Sequence, residues 1–400
     1  MKVLLVNKFY YPRGGDCVYT VNLETLLKKQ GHEVAVFAMQ HPRTLDTPWS
    51  KYFVSEVRFR PGRHMLDAFT RPFGTQEVIN KFQALLDDFV PDVVHLNNIH
   101  SQLSPVVAEL AHKRGIKVIW TMHDYKLVCP RYDCLRNDGT HCNACFAPPF
   151  DNPKKQKLNV LRHRCMKGSY VASYIAYREA VKWNRERLEK CTDFFVCPSS
   201  FMASKMREGG FSDYQLKVHA NFINIDKCHV PDFSKEDYYC FVGRLSREKG
   251  IKTLIQAANM LPYQLYVIGK GPMERELRMM AKDHVKILGH KGWDEIKEIE
   301  RKAKFSVIAS EIFENNPLSV IESKCIGTPV LGARIGGIPE LIDEGVDGMT
   351  FESGNVADLV KKIKMMMGQE FDYSKIAESA RVMYSDSSYY EFLMELYQTY

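Results

Sequence analysis

Short apolar runs that alternate with helical segments constrain the fold of this chain more than any other feature. In the first half these runs are Val3 to Val6, Glu33 to Phe37, Asp92 to Leu96, Lys117 to Met122 and Phe194 to Cys197. They consist mainly of β-branched and aliphatic residues, and each is too short to form a buried helix. Continuous apolar strands that alternate with helices are typical of a parallel sheet buried on both faces.

The second half repeats this pattern, with runs at Tyr239 to Val242, Leu265 to Ile268, Val285 to Ile287, Phe305 to Ile308, Val330 to Leu331 and Gly348 to Phe351. A length of 400 residues exceeds what one hydrophobic core usually organises. We therefore predict an α/β protein with two Rossmann-like, doubly wound parallel-sheet domains. The predicted domains span 1–217 and 218–385, and a terminal helix spans 386–400.

The composition is that of an ordinary soluble protein, with 45% hydrophobic and 26% charged residues. No run of eighteen or more apolar residues occurs, so the sequence predicts no membrane-spanning helix. The first apolar run is too short for a signal peptide and has no small-residue cleavage site after it. We therefore expect a cytoplasmic protein.

The net charge of +7 is concentrated in one stretch, Asp151 to Lys190, which has eleven Lys and Arg residues against four Asp and Glu. Tyr170, Tyr174 and Tyr177 share one helical face there, and basic amphipathic helices with aromatic residues bind membrane interfaces. The stretch also carries Trp183, Arg185 and Arg187. We predict peripheral contact with an anionic membrane; the alternative is that the aromatic face packs on its own domain. Nucleic acid is not an expected partner, because no nucleic-acid-binding fold accompanies the charge.

Eleven cysteines in a chain without a secretion signal argue against a disulfide framework. Five of them lie in an irregular insertion at about 129–165, namely Cys129, Cys134, Cys142, Cys145 and Cys165. A Cys-x-x-Cys pair with two further thiols can complete a tetrahedral zinc site. The sequence thus predicts a structural zinc held by Cys129, Cys142, Cys145 and Cys165. The alternative is a set of reduced thiols that pack a small subdomain.

The segment Gly243-Arg244-Leu-Ser-Arg247-Glu248-Lys249-Gly250 follows directly on a predicted strand and opens a helix. Arginine offers a planar fork of donors and lysine a compact charge, and together they suit a diphosphate. The alternative is a solvated loop with an internal charge pair.

Glu314 and Glu322 bracket seven residues at a predicted loop-to-helix junction, and Gly336-Gly337 follows after the next strand. Carboxylates accept paired hydrogen bonds from sugar hydroxyls, and a helix N-terminus offers free N–H groups to phosphate. This pattern therefore indicates a site for a polyhydroxylated, phosphorylated ligand.

Two features of the first half point to the same kind of ligand. Gly14-Gly15 lies in the first strand-to-helix turn, where glycine lets the backbone approach a phosphate or sugar closely. His123 and Asp124 follow a buried strand, and ligands of open α/β sheets bind at the carboxyl ends of strands.

Together these motifs resemble retaining glycosyltransferases of family four, also described as glycosyl transferases group 1. The resemblance is carried by Glu, seven residues, Glu from Glu314 to Glu322, and by the Gly-Arg-Leu and Glu-Lys-Gly signatures from Gly243 to Gly250. It implies the GT-B fold, in which the two domains face each other across a cleft. The first domain would bind the acceptor, the second the nucleotide sugar, and the terminal helix would cross back to the first domain.

The resemblance also implies a role for each motif. Arg244 and Lys249 would bind the donor diphosphate, Glu322 the ribose and Glu314 the donor sugar. His123 would lie close to that sugar, with Asp124 orienting it. The remaining implied ligand-binding residues are Gly14, Gly15, Asn316, Pro317 and Leu318.

The chain departs from the commonest family pattern in two places. Asn315-Asn316-Pro317 stands where Phe-Gly is usual, and Ser323-Lys324 stands where Ala-Met is usual. No Asp-x-Asp motif occurs, so we expect no divalent metal at the diphosphate and no cofactor for catalysis. Arg244, Lys249 and helix N-termini would neutralise the charge instead.

We predict a retaining transferase that moves a sugar from a nucleotide-diphosphate sugar to a hydroxyl of a glycan or lipid-linked acceptor. Surface polysaccharide biosynthesis at the inner membrane face is the expected setting. Two alternatives remain open: a nucleotide-sugar epimerase of the same fold, and a non-catalytic protein that binds a glycan or a sugar nucleotide.

Overall fold

A computed structural model describes residues 1–57, 65–148 and 152–399 and divides the chain into two compact units. The first unit comprises Met1–Ala220 and Tyr390–Tyr400, and the second comprises Asn221–Tyr389. In each unit the described strands form a six-stranded sheet whose paired strands are all parallel. The predicted α/β class with two parallel sheets is therefore confirmed.

The sheet of the first unit has the strand order β2-β1-β3-β4-β5-β6. Its strands are β1 (Lys2–Val6), β2 (Glu33–Phe37), β3 (Val93–Leu96), β4 (Lys117–Thr121), β5 (Phe194–Cys197) and β6 (Leu216–Val218). The apolar runs predicted five of these strands. The sixth has only three residues and lies at the edge of the sheet, so it carries no continuous apolar signal.

The helices of the first unit cover the two faces of this sheet. They are α1 (Gly15–Lys29), α2 (Met65–Thr70), α3 (Gln76–Phe89), α4 (His100–Leu103), α5 (Val106–His112), α6 (Pro153–Lys157), α7 (Asn159–Arg162), α8 (Tyr170–Lys182), α9 (Arg185–Lys190) and α10 (Ser200–Glu208). Short 3-10 turns occur at Pro48–Tyr52 and Arg71–Phe73. Side-chain caps define where several of these helices begin. The Ser169 hydroxyl, for example, accepts a hydrogen bond from the Ala172 amide and caps α8.

The second sheet has the order β12-β11-β10-β7-β8-β9. Its strands are β7 (Tyr238–Val242), β8 (Gln264–Ile268), β9 (Val285–Gly289), β10 (Ser306–Ile308), β11 (Val330–Ala333) and β12 (Gly348–Phe351). The chain builds outward from β7 to one side and then returns to build outward from β10 to the other side. Adjacent strands whose connections lead in opposite directions mark the switch point where α/β sheets bind ligands. Here that point lies between β7 and β10.

The helices of the second unit are α11 (Ile251–Ala258), α12 (Glu274–Met280), α13 (Trp293–Lys302), α14 (Leu318–Cys325), α15 (Val356–Gly368) and α16 (Tyr373–Met383). The 3-10 turns lie at Ile225–Cys228, Arg247–Lys249 and Ile338–Leu341. The last helix, α17 (Asp386–Gln398), begins in the second unit and ends in the first. Its end belongs to the core of the first unit, where the Tyr397 hydroxyl lies 2.6 Å from His95 Nδ1.

The two cores lie between the sheets and their helices. Val3 to Val6 in β1 is completely buried, as is most of β7 and β10, which explains why apolar content predicted these strands. Among the described helices, none has both the length and the apolar content that a bilayer crossing requires. Because parallel strands end at one edge of their sheet, the polar residues that follow them are gathered there.

Candidate active site

The loops after β7 and β10 meet at the switch point of the second sheet. The Glu311 amide donates to the Glu248 carbonyl at 3.0 Å and ties the two loops together. Gly250 has a φ of +62°, and a Cβ at this position would lie 1.8 Å from the Ala309 carbonyl oxygen. A glycine is therefore needed for the loop that carries Lys249 to approach the end of β10.

Lys249 and Glu314, from two separate sequence motifs, are in direct contact at this point. Lys249 Nζ lies 2.5 Å from Glu314 Oε1, and the Ser310 hydroxyl donates to the same oxygen at 2.6 Å. The Gly337 amide holds the Glu314 carbonyl at 2.8 Å. Gly336, with a φ of +59°, permits this approach because a Cβ there would lie 2.2 Å from the Glu314 carbonyl oxygen. Both predicted residues thus lie in one fixed arrangement.

Arg244 lies in the loop that follows β7 and is exposed to solvent. Within the described part of the chain, no carboxylate pairs with its guanidinium. It lines a cavity of about 240 Å³ together with Lys270, His290 and Lys291, which follow β8 and β9. Sequence reasoning did not assign His290 and Lys291 to the site, although their position directly after a parallel strand was a usable signal. The cavity combines several cationic groups with the apolar side chains of Val242, Ile268 and Ile296.

Glu322 lies on α14 and is half-buried. Burial raises the pKa of Glu322 to about 7, although the positive charge of Lys227 lowers it in part. Glu300 on α13 is 3% exposed, and burial followed by repulsion from Glu322 raises its pKa to about 8. The Ser323 hydroxyl bonds Glu300 and partly offsets the shift. Two carboxyl groups therefore share one poorly solvated region. Glu300 gave no sequence signal, because a glutamate in the charged run from Asp294 to Lys302 resembles a solvated helix face.

Ser323 and Lys324, which stand where the family usually has Ala-Met, both have polar partners inside the second unit. The Ser323 hydroxyl lies 2.7 Å from that of Ser306 and donates to the Thr328 carbonyl at 3.0 Å. Lys324 is 5% exposed, and its Nζ lies 2.5 Å from Asp347 Oδ2 and 2.7 Å from the Leu341 carbonyl. Both side chains are engaged in the core behind α14.

Asn316, from the other departure, is also buried. Its Oδ1 accepts the Asn221 amide at 2.9 Å, and its carbonyl accepts Asn221 Nδ2 at 2.9 Å. The side chain of Asn316 is thus held by Asn221, and its predicted contact with a ligand stays a prediction. Pro317 and Leu318 form the start of α14, whose first turn has no side-chain cap. The free N–H groups of that turn remain available to an anion.

In the first unit, His123 follows β4 and lies against α1. Its Nε2 is 2.9 Å from Asn97 Oδ1, and the Tyr19 ring packs on its imidazole at 4.9 Å between centroids. Burial lowers the pKa of His123 to about 4, so the imidazole is neutral at pH 7. Gly15 begins α1, and a Cβ there would meet nothing within 4 Å. The packing of the protein itself therefore does not require glycine at this position.

Asp124 is bonded to residues other than His123. His100 Nε2 lies 3.3 Å from Asp124 Oδ1, and Asn98 Nδ2 and the Lys126 amide donate at 3.2 and 2.9 Å. Burial would raise the pKa of Asp124, but the charges of His100 and Lys8 and the Lys126 amide hold it well below its usual range. No hydrogen bond joins Asp124 to His123 among the described residues, and the role predicted for Asp124 in orienting this imidazole stays a prediction.

Orientation of His123 comes from Asn97. Sequence reasoning missed Asn97 in that role and missed His100 as the partner of Asp124. Both follow β3, which neighbours β4 in the sheet. His95, on β3 itself, is completely buried between Thr121 and Tyr397. Burial lowers its pKa to about 3, so it is a neutral structural residue.

The zinc site predicted in the cysteine insertion stays a prediction. No group of three or more His, Cys, Asp or Glu residues within the described ranges is placed to hold a metal ion. Cys134 is buried and its thiol bonds that of Cys129, while its carbonyl accepts the Cys142 amide at 2.8 Å. Residues 149–151 of the insertion lie outside the described residues. Reduced thiols that pack a small subdomain account for this arrangement; Cys145 and Cys165 are also buried.

The basic stretch is only partly exposed. Trp183 is buried and its Nε1 donates to the Pro72 carbonyl at 2.8 Å. Arg187 pairs with Glu109, and Arg185 Nη1 lies 2.7 Å from Glu189 Oε2. These three side chains therefore pack on their own unit. Tyr170, Val171 and Tyr174, at the start of α8, are exposed.

Comparison with known proteins identifies the family. A family model described as Glycosyltransferase Family 4 matches residues 13–227, more than half of the chain. The chain belongs to glycosyltransferase family 4. A second model, Glycosyl transferases group 1, matches residues 226–383. This membership makes the chain a glycosyltransferase, as its motifs predicted.

Relatives in sequence include an uncharacterised glycosyltransferase of Methanocaldococcus jannaschii and an uncharacterised protein of the cps region of Klebsiella pneumoniae. The first is 25% identical over 52% of this chain and 59% of its own length. The second is 24% identical over 85% of this chain and 87% of its own length.

Among solved structures, sucrose-phosphate synthase from Thermosynechococcus elongatus has a TM-score of 0.69 at 16% identity, over 99% of this chain and 98% of that one. Anabaena HepE, solved with UDP and glucose, has a TM-score of 0.63 at 17% identity, over 100% of both chains. These similarities extend over the whole chain and confirm the predicted GT-B fold.

Proposed function

We propose that this glycosyltransferase moves a sugar from a nucleoside-diphosphate sugar to a hydroxyl of a glycan or lipid-linked acceptor, with retention of anomeric configuration. The observation that carries the proposal is the contact of Lys249 with Glu314 at the switch point. The same loop after β7 carries Arg244, whose guanidinium has no carboxylate partner among the described residues. Cations that suit a diphosphate and a carboxylate that suits a sugar are thus adjacent.

The second unit offers a partner for each part of such a donor. Arg244 and Lys249 bind the diphosphate together with the uncapped first turn of α14. The cavity beside Arg244 receives the base between apolar walls, and its additional lysines attract the anionic nucleotide. Glu322 accepts the ribose hydroxyls when it is ionised.

Glu314 is assigned to the sugar. Without a donor its Oε1 accepts both Lys249 and Ser310. A diphosphate that draws Lys249 away would free part of this carboxylate for a sugar hydroxyl. Binding of the diphosphate and recognition of the sugar would then be linked through one ion pair.

Retention follows if the bond to the acceptor forms on the face that the diphosphate leaves. The anomeric C–O bond to the diphosphate breaks, and the acceptor oxygen bonds the same carbon. The leaving phosphate oxygen takes the proton of the acceptor hydroxyl, so charge and atoms balance without a protein nucleophile. The positive groups around the diphosphate stabilise the leaving charge.

We assign the acceptor to the first unit. A neutral His123 can donate or accept one hydrogen bond, and Asn97 fixes the orientation of its ring. Gly15 leaves open space at the start of α1 that suits a hydroxylated ligand. Surface polysaccharide synthesis is the proposed setting, supported by the cps-region relative and by the amylovoran biosynthesis glycosyltransferase of Erwinia amylovora, 28% identical over 35% of this chain.

A lipid-linked acceptor would require contact with an anionic membrane, and the start of α8 is the proposed surface. Tyr170 and Tyr174 are exposed, and the guanidinium groups of Arg164 and Arg178 lie over their rings at 4.1 and 5.8 Å. Replacing both tyrosines with serine should reduce sedimentation with phosphatidylglycerol vesicles. Arg185→Gln, at a residue already paired with Glu189, is the matched control. Equal sedimentation of all variants would reject this surface.

The function is tested by incubating the protein with single nucleoside-diphosphate sugars, chosen from a thermal-shift panel. A ligand at a hundred times its Kd stabilises the protein by about 2.7 kcal/mol, which such a panel detects easily. A transferase without an acceptor should release nucleoside diphosphate slowly, whereas an epimerase should yield an isomeric sugar nucleotide. Binding without either product would indicate a non-catalytic protein. Lys249→Ala should abolish the release, and Lys252→Ala, on the outer face of α11, should not.

A further inference from the structure

Asn221, which lies outside both sequence motifs of the second unit, donates two hydrogen bonds to Asn316, which lies inside the Glu314 to Glu322 motif. The main-chain N–H of Asn221 donates to Asn316 Oδ1, and its side-chain Nδ2 donates to the Asn316 carbonyl, both at 2.9 Å. Both residues are more than nine-tenths buried. Asn221 is the first residue of the second unit, whereas Asn316 lies in the loop between Glu314 and α14.

The two hydrogen bonds hold the loop from Glu314 to Leu318 at Asn316, directly before α14 begins. Before Asn316, the loop is held by the Gly337 amide on the Glu314 carbonyl and by Lys249 on the Glu314 carboxylate. After Asn316 comes Pro317, which has no N–H and a restricted φ. A hydrogen bond on the Asn316 carbonyl therefore sets the plane of the Asn316–Pro317 peptide and the direction in which α14 begins.

The pair also gives a reason for the departure at Asn315-Asn316-Pro317. An apolar or absent side chain at 316 could not accept the buried Asn221 amide. Breaking either half of the pair would leave a buried donor or acceptor without a partner, which costs more than a hydrogen bond usually contributes. The two asparagines are therefore expected to act as one unit.

We propose that Asn221 is a positioning residue of the donor site, which acts through Asn316 to hold the loop from Glu314 to Leu318 toward the sugar end of the donor. The inference rests on the proposed function, because it assigns this loop to the sugar. It adds a residue outside the family motifs that controls how the sugar, rather than the nucleotide, is bound.

Asn221→Ala and Asn316→Ala, singly and together, test the proposal by calorimetry with UDP, GDP and their hexose-linked forms. Each single variant should bind the sugar nucleotide about tenfold more weakly, the loss expected when a buried hydrogen-bonded pair is broken. Affinity for the nucleoside diphosphate alone should change less than threefold. Asn221→Ala removes only the bond from Nδ2 to the Asn316 carbonyl, and Asn316→Ala removes only the bond from the Asn221 N–H to Oδ1. The double variant loses both bonds and should bind the sugar nucleotide more weakly than either single variant.

Asn316→Asp keeps both acceptor oxygens and should recover most of the affinity. Asn221→Asp, which loses only the Nδ2 donor, serves if the alanine variant does not fold. Hydrogen exchange of the peptide that covers 314–322 should be faster in Asn221→Ala, with the peptide that covers α15 unchanged as the internal control.

The outcomes distinguish a failure of the proposed function from a failure of the positioning role of Asn221. If native protein binds no nucleoside diphosphate and no sugar nucleotide, the proposed function and this inference both fail. If native protein binds but the variants lose both ligands equally, or lose neither, the function stands and the positioning role is overturned.

Discussion

Replacing Glu300 with glutamine should remove a loss of stability that the native protein suffers at alkaline pH. Glu300 is 3% exposed, and the groups that face it are Glu322, Lys235, Cys228 and the Ser323 hydroxyl. Burial, followed by repulsion from Glu322, raises the pKa of Glu300 to about 8 from an ordinary value of 4.5. The carboxyl is therefore protonated in the folded protein over a pH range in which the unfolded chain has lost this proton.

The sign follows from proton binding. Between pH 4.5 and about 8 the folded state keeps this proton, whereas the unfolded chain has lost it. The stability that is present below pH 4.5 therefore falls over this range, and the loss is complete once the pH has risen through 8. Each unit of pKa shift corresponds to about 1.4 kcal/mol, so the loss is on the order of 4 kcal/mol and is shared with Glu322, which titrates with it. Glutamine keeps the shape without the ionisation. At pH 9 the variant should unfold roughly 5 to 10 °C higher than the native protein.

Thermal unfolding followed by calorimetry from pH 5 to 9 measures this effect. Native protein and Glu300→Gln should be similar below pH 5 and should diverge progressively between pH 5 and 8, where only the folded state keeps this proton. Glu298→Gln is the control, because Glu298 lies on the same helix, is exposed and pairs with Arg301 at the surface. If the unfolding temperatures of native protein and Glu300→Gln change in parallel from pH 5 to 8, the buried carboxyl pair does not exist as described.

Three further predictions concern the donor site. Burial raises the pKa of Glu322 to about 7, and this carboxyl accepts ribose hydroxyls only when it is ionised. Affinity for a nucleoside diphosphate should therefore fall about tenfold from pH 8 to pH 6. An affinity measured by calorimetry that does not change over this range would contradict the role. Arg244→Ala should weaken that binding by roughly 2 kcal/mol without lowering the unfolding temperature, since its guanidinium has no carboxylate partner among the described residues. Arg247→Ala is the control, and equal losses would count against a specific contact. Lys324→Met should destabilise the protein by about 3 kcal/mol in denaturant unfolding, because it leaves Asp347 buried without its cation; unchanged stability would refute this.

The sequence predicted the fold well because parallel strands buried on both faces need continuous apolar runs. Eleven of the twelve described strands carried this signal, and β6 did not because it has only three residues. The meeting of Lys249 with Glu314 was also predictable in outline, since parallel strands bring the loops that follow them to one edge.

The partners of individual side chains were not predictable in the same way. Asp124 pairs with His100 and not with its neighbour His123, because the sheet turns adjacent residues to different surroundings. Trp183 and Arg187 look like part of a membrane face on a helical projection, but they contact Pro72 and Glu109, which lie in distant parts of the chain. Contacts of this kind depend on tertiary distances that local patterns do not contain.

The central claim, that this chain transfers sugars with retention, is tested most directly by the anomeric configuration of its product. Proton NMR spectra recorded within the first minutes of donor turnover would show the released or transferred sugar before it equilibrates. From an α-linked nucleoside-diphosphate sugar, the account predicts that the α anomer appears first. A β anomer as the first product would contradict it.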